Sequence, residues 1–317
     1  MSRDIHQFVS ADWEPEFANE TWDPPPHMRT DLTRLEGPTI PIIGRHFYRV
    51  PDARLLKVGG SEGEARMTVL ARRVLEGTLT ISTVHAFIQI PDSGSAILSD
   101  RVQGVPLSTL WNDISASQRT TIKNQLCDVL LAMRKPSFEY AGRPGRRPYV
   151  LPTVLASSAY DFCSDLEAWN ESRARAIVGN VADARRAESL REQQYKLVVT
   201  DRFVLTHGDP SDRNIIVEPD TLNIVGLLDW EDANVVPSYF EYVAARLSSG
   251  HLPYWRVELL EVLEKVLERG CGETTNVEEE FARWKALVDV ERYAQGLDDD
   301  CAWTFEPDAD DRGIPTC

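Results

Sequence analysis

The sequence predicts an α+β chain of two lobes, a small antiparallel-sheet lobe followed by a larger helical one. Three observations carry this. Residues 46–102 alternate short strand-like runs with a single helical stretch. From about Pro106 onward, apolar residues recur at helical spacing. Inside that helical half, apolar runs flank one polar turn, Leu205-Thr-His-Gly-Asp-Pro-Ser-Asp-Arg-Asn-Ile-Ile-Val217. The expected division is an extended arm over 1–40, a small lobe over 41–103 and a large lobe over 104–317.

The arm is rich in proline and acid, with Pro24-Pro-Pro26 and the aromatic anchors Trp13, Phe17 and Trp22, so it reads as an extended segment packed on the body. His46–Val50 and Arg54–Val58 read as strands joined by a turn at Pro51-Asp52. A helix over 62–76 follows, capped by Ser61 with Glu64 three residues on, and Met67, Leu70, Ala71, Val74 and Leu75 form its apolar face. Val84–Ile90 and Ala96–Val102 return to strands, with Pro91-Asp-Ser-Gly94 between them. A hinge is expected near Ser99 to Gly104. Ser115–Met133 is the first helix of the large lobe, and 136–152 is a Gly/Pro/Arg-rich loop. Helices over 160–178 and 182–198 precede the strands of the polar turn, and helices over 239–247, 255–268 and 277–293 close the chain.

Bulk properties narrow the function classes. At 42% hydrophobic and 26% charged the 317-residue chain is an ordinary globular protein able to bury a sizeable core. A net charge of -16 argues against nucleic acid or an anionic membrane as partner. No apolar run approaches the roughly 20 residues needed to span a bilayer, and the N-terminus lacks a signal-peptide core, so a cytoplasmic protein is expected. The five cysteines are scattered without metal-ligand spacing and read as reduced structural thiols. The acidic stretches Asp298-Asp-Asp300 and Glu306–Asp311 read as a solvated tail.

The chemistry concentrates in the polar turn. His207, Asp209 and Asn214 share it, and Asp229 ends the next apolar run, Ile224-Val-Gly-Leu-Leu228. Two carboxylates and an amide gathered by two short strands suit a hard cation and a base beside a hydroxyl. Taken singly, Asp209 and Asn214 are also good turn residues and Asp229 a good strand-end cap. Lys57 is one of only six lysines and stands in an alternating strand, where a lysine can simply face water.

The order of these pieces resembles the aminoglycoside phosphotransferase and choline-kinase-like family, which has a protein-kinase-like fold, and its fungal-type small-molecule branch in particular. The resemblance runs from about Gly44 to Tyr242, and His207-Gly-Asp-x-x-x-x-Asn214 followed by Asp229 is its specific part. It implies an ATP- and Mg2+-dependent transfer to a hydroxyl of a small molecule, by a monomer or weak homodimer. Asp209 would be the base, Asn214 and Asp229 the metal ligands and His207 a scaffold for the loop. Lys57 would hold the α- and β-phosphates and pair with Glu64, a role that competes with capping by Glu64. Gly44 and Arg45 would cover the phosphates in place of a Gly-rich loop, and Asp100 and Arg101 of the hinge would present backbone groups to adenine. Trp230, Glu231 and Glu241 are candidates for the acceptor pocket. The alternative is a kinase-fold protein without kinase activity, either a pseudokinase-like binding module or a biosynthetic enzyme turned to elimination or cyclisation.

Overall fold

A computed structural model describes residues 10–21, 33–34, 46–50, 52–90, 94–152, 157–199, 202–247, 251–272 and 275–297. The first lobe is built on a six-stranded sheet. Its strands are β1 (Ala18–Thr21), β2 (Thr33–Arg34), β3 (His46–Val50), β4 (Arg54–Val58), then helix α1 (Glu62–Val74), and β5 (Val84–Ile90) and β6 (Gly94–Asp100). The spatial order is β1-β5-β6-β4-β3-β2. All pairs are antiparallel except β1 with β5, so the arm supplies both edge strands, β1 parallel and β2 antiparallel, rather than a mere strap.

Alternation along the strands sorts side chains to two faces. Leu56, Ala86, Ile88, Ile90 and Ala96 pack together on one face with Tyr48 and Leu98. Val84, Phe87 and Ile97 pack on the other against Ala65 and Val69 of α1. Lys57 is next to Leu56 and pairs in register with Ile97, so it stands on the α1 face. That placement follows from the two-residue period, and it turns Lys57 away from solvent.

α1 begins where Ser61 accepts the Glu64 N–H at 3.0 Å. It ends at Val74, two residues earlier than expected, in a turn through Gly77. Met67 and Leu70 are fully buried, each worth about 1.5–3 kcal/mol relative to exposure. The arm braces this helix. Glu14 pairs with Arg66, and Trp13 lies under the Arg73 guanidinium at 5.1 Å. Asp12 pairs with Arg146 of the second lobe, whose N–H donates to Ala11 O at 3.0 Å. Trp22 and the Pro24–Pro26 run lie outside the described residues.

The hinge passes from β6 into β7 (Val105–Pro106), which joins a three-stranded sheet of the second lobe. Gly104 makes that passage possible. Its φ is +128°, and a Cβ there would sit 2.6 Å from the Val217 carbonyl oxygen.

The second lobe is mainly helical, as expected. α2 (Ala116–Met133) opens with a full Ser115–Gln118 capping box. β8 (Val150–Pro152) and β9 (Ser157–Ala159) then form a small hairpin-like pair. The helix expected from residue 160 starts only at Leu166, giving α3 (Leu166–Asn180), because Asp165 caps it by accepting the Ala168 N–H at 2.8 Å. Tyr160 is instead stacked on Tyr149 at 5.0 Å. Next come α4 (Ala184–Leu197), β10 (Phe203–Thr206), β11 (Ile215–Val217), β12 (Ile224–Leu227) and β13 (Asn234–Pro237). α5 (Phe240–Leu247), α6 (Pro253–Gly270) and α7 (Val277–Ala294) complete the described chain.

The main core runs through this lobe and carries the buried tryptophans Trp111, Trp169, Trp230, Trp255 and Trp284. Trp111 and Trp255 meet edge-on at 5.2 Å and join the start of the lobe to α6. Cys127, Cys163 and Cys271 are free thiols. No helix among the described residues is long and apolar enough to cross a membrane.

Candidate active site

The site forms where the β10–β11 loop, the end of β12 and the α1 face of the sheet converge. His207 opens the loop and is fully buried. Its Nε2 lies 2.8 Å from the Leu228 carbonyl oxygen. A carbonyl only accepts, so Nε2 carries the proton and Nδ1 is left to accept the Asp209 N–H at 3.2 Å. The ring also packs on Trp230 at 4.6 Å. One neutral imidazole thus ties the backbone beside Asp209 to the residue before Asp229. Gly208 has φ +83°, and a Cβ there would lie 2.5 Å from the Asp232 carbonyl oxygen, which fixes glycine at this step.

Asp209 is half-buried, and both its carboxylate oxygens are engaged. Oδ2 accepts from Asn214 Nδ2 at 3.0 Å, and Oδ1 accepts from His251 Nε2 at 2.7 Å. Asn214 Nδ2 also donates to the Asp209 carbonyl at 3.0 Å. With its nitrogen so occupied, the Asn214 amide oxygen is the atom able to face a cation.

Asp229 follows β12 in the left-handed region, at φ 64° and ψ 65°. For a residue with a Cβ that costs of order 1–2 kcal/mol, the kind of local strain found at functional sites. Its Oδ1 accepts from Lys57 Nζ at 2.7 Å. Lys57 also donates to Glu64 Oε1 at 2.7 Å and lies 3.9 Å from Glu231 Oε2. The two roles competing for Glu64 use different atoms: its N–H caps against Ser61 while its carboxylate meets Lys57.

This leaves one ammonium among three carboxylates. Burial works against the charge on Lys57, yet Glu64 and Asp229 outweigh it and hold the ammonium above its usual range. Burial pushes Glu64 up to about 7, against the pull of Lys57 and helped by Asp229 and Glu231. The second Glu64 oxygen is buried with no hydrogen-bond partner. Oxygens of Glu64, Asp229 and Glu231 all lie within 4.8 Å of one another. Hard oxygen donors and an orphaned carboxylate oxygen are a donor set that fits a magnesium ion.

Two residues near this cluster carry no sequence motif. Asp232 is pushed up to about 7 by burial, with Glu231, Asp209 and Asp229 adding to it. Arg143 is buried and donates through Nε to the Ala233 carbonyl at 3.1 Å and to Asn234 Oδ1 at 3.0 Å. Its Nη2 donates to the Glu231 carbonyl. A Cβ at Gly63 of α1 would lie 2.5 Å from Arg143 Nη1, so this guanidinium fills the space between the lobes. Burial brings it down to about 10.

Other expectations are corrected. Glu241 is 1% exposed, and its two oxygens accept the N–H groups of His207 and Gly208 at 2.7 and 2.9 Å. It shapes the loop from behind and does not line a pocket. Trp230 is 2% exposed and donates to the Leu227 carbonyl at 3.0 Å, so it packs under the site. The Glu231 carboxylate lies 3.9 Å from Lys57 Nζ, beside Glu64 and Asp229. The N–H groups of Asp100 and Arg101 are taken by the Thr83 and Ala53 carbonyls at 2.9 Å each, and so are not available to adenine. The Asp100 carboxylate meets His85 Nε2 at 2.6 Å. Gly44 and Arg45 lie outside the described residues. His251 escaped the sequence reading because a single histidine 42 residues past Asp209 carries no pattern.

The sequence profile described as the Phosphotransferase enzyme family matches residues 63–271. Among solved structures, a thermostable mutant of aminoglycoside phosphotransferase APH(4)-Ia, in a ternary complex with AMP-PNP and hygromycin B, is similar at 17% identity. The match covers 84% of this chain and 92% of that one, with a TM-score of 0.51. A second such mutant complex matches at 16% identity, 84% and 91% coverage and a TM-score of 0.52. APH(4)-Ia itself matches at 15% identity, 84% and 83% coverage and a TM-score of 0.51. At these identities the likeness is one of fold, the kinase-like α+β architecture of two lobes. No curated protein sequence matches the chain.

Proposed function

Since the chain belongs to the phosphotransferase enzyme family, we propose that this small-molecule kinase transfers the γ-phosphoryl group of ATP, with Mg2+, to a hydroxyl of an amino sugar, amino alcohol or related natural product. The observation that carries the reading is the meeting of Lys57 and Glu64 from the sheet lobe with Asp229 from the other lobe, beside Asp209 and Asn214. A place in the fungal-type branch of the family is part of the same proposal and rests on the sequence resemblance. The complexes of the neighbours with AMP-PNP and hygromycin B are consistent with a nucleotide and an amino-sugar acceptor.

Each residue has a task that its surroundings support. Asp209 aims the acceptor hydroxyl and takes its proton as the new O–P bond forms. Asn214 and Asp229 would hold the metal ion, with Glu231 at hand; when bound, the ion neutralises charge on the phosphates. Lys57 binds the α- and β-phosphates, and Glu64 keeps the ammonium turned into the cleft. His207 and Glu241 hold the loop so that Asp209 and Asp229 keep their separation. Positioning and charge neutralisation supply most of the rate in such a site. The acidic walls, Glu231 and Asp232 among them, suit an acceptor bearing amines.

The test is a screen of ATP consumption against aminoglycosides, amino alcohols, sugars and alkaloid-type alcohols, with product masses measured. A product heavier by one phosphoryl group with one of these classes is expected. No ATP consumption with any acceptor, together with binding of an unrelated metabolite, would move the chain to the alternative of a kinase fold without kinase activity.

A further inference from the structure

We infer that His251 is a positioning residue that aims Asp209 at the acceptor hydroxyl; this rests on the kinase reading above. The imidazole lies between α5 and α6, is 4% exposed, and places Nε2 2.7 Å from Asp209 Oδ1. Asn214 holds the other oxygen at 3.0 Å. Two donors on opposite oxygens fix the carboxylate plane, and a carboxylate has about four lone-pair sites, so each oxygen keeps one for the substrate.

The segment that carries His251 is bolted to the same loop twice more. Tyr254 donates to Asp212 Oδ2 at 2.7 Å, and Trp255 Nε1 donates to the Pro210 carbonyl at 3.0 Å. Trp255 is itself buried against Trp111. His251 is thus a fixed post, and its bond to Asp209 is the contact of this segment that reaches the base. In the transfer step the substrate O–H bond breaks and its proton goes to Asp209. The hydroxyl oxygen bonds to the γ-phosphorus, and the bond from that phosphorus to the oxygen of the departing ADP breaks. His251 keeps its Nε2 proton throughout.

The test compares the full-length wild type with His251→Phe and His251→Gln, using ATP and the acceptor found in the screen. His251→Phe removes the donor at similar bulk and should lower kcat roughly 10- to 100-fold with KM for ATP within about twofold, the range for lost support of a catalytic group. His251→Gln keeps an N–H donor and should recover most of that loss. Unchanged kcat in folded His251→Phe overturns the inference, and so does equal loss in both variants. If His251→Phe fails to fold, His251→Gln at near wild-type kcat beside an inactive but folded His251→Ala decides in its favour; equal kcat in the two decides against it. If wild type turns over no acceptor, the kinase reading fails by itself. The pairing is then read by 15N NMR: a protonated Nε2 whose signal moves in Asp209→Ala supports it, and an Nδ1-protonated ring indifferent to Asp209→Ala overturns it.

Discussion

Two of the buried ion clusters among the described residues are built on opposite plans. Between α3 and α7, Arg173 and Glu291 are both fully buried, and the guanidinium spans the carboxylate with Nε and Nη2 at 3.1 and 2.5 Å. Arg173 Nη1 also donates to the Tyr149 hydroxyl at 3.4 Å, and the Tyr239 hydroxyl donates to Glu291 at 3.4 Å. Tyr160 lies under the guanidinium at 4.8 Å. Charge is balanced one to one, and burial, which opposes the charge on Arg173, is overridden by Glu291. In the cleft, one lysine faces three carboxylates and a glutamate oxygen is left without a partner. The closed pair holds helices together. The open cluster gathers three carboxylates around one ammonium, an arrangement that under the proposed reading suits a cation.

Substitutions can break this contrast. The largest effect is expected in the closed pair. Glu291→Gln strands a fully buried guanidinium and should destabilise the fold by about 3–5 kcal/mol, read by chemical denaturation. A loss under about 1 kcal/mol would mean that the helix pair does not depend on the charge. Asp209→Asn should act on catalysis instead, cutting kcat at least about 100-fold, or about 2.7 kcal/mol, at nearly unchanged melting temperature. Near wild-type turnover in that variant would remove Asp209 from the mechanism.

Asp229→Ala should abolish the melting-temperature rise given by ATP with Mg2+, a stabilisation of up to about 2.7 kcal/mol at a hundredfold excess over Kd in wild type. A magnesium-dependent rise that survives would place the ion elsewhere.

The smallest effect sharpens the contrast most. Glu64→Gln leaves Lys57 with Asp229, so stability without magnesium should change by about 1 kcal/mol or less, while turnover falls. The pH dependence follows from the raised carboxyls. Glu64 and Asp232 are both pushed up to about 7 from ordinary carboxylate values. A raised folded value means the folded state holds its proton longer, so this stability is present below about pH 4 and lost as pH rises through 7. Magnesium-free protein should therefore lose stability across that window, and Glu64→Gln should flatten part of the loss. An identical profile in wild type and variant would show that Glu64 binds its proton alike in the folded and unfolded states.

Much of the fold is legible in the chain because its signals are local. The alternation in Arg54–Val58 puts Lys57 opposite Leu56, and Ser61 caps α1 where a cap was expected. The His207–Asn214 turn holds its own hydrogen bonds, such as Asn214 to Asp209 five residues away. Elsewhere local signals mislead. Residues 160–165 carry helix-compatible spacing, yet Tyr160 stacks on Tyr149 and the helix waits for Asp165. Glu241 reads as a cleft acid and is instead buried on two backbone N–H groups.

By itself the sequence determined the two-lobe order, the strand face of Lys57 and the polar turn that gathers Asp209 and Asn214, since periodicity and turn chemistry act over a few residues. Only the tertiary structure decided which charges share a buried space. Lys57 meets Asp229 across 172 residues, Arg173 meets Glu291 across 118, and His251 reaches Asp209 across 42. Such meetings depend on how elements pack, because a charge's partner is set by what else lies within a few ångströms in a low-dielectric interior, and no local pattern records that distance.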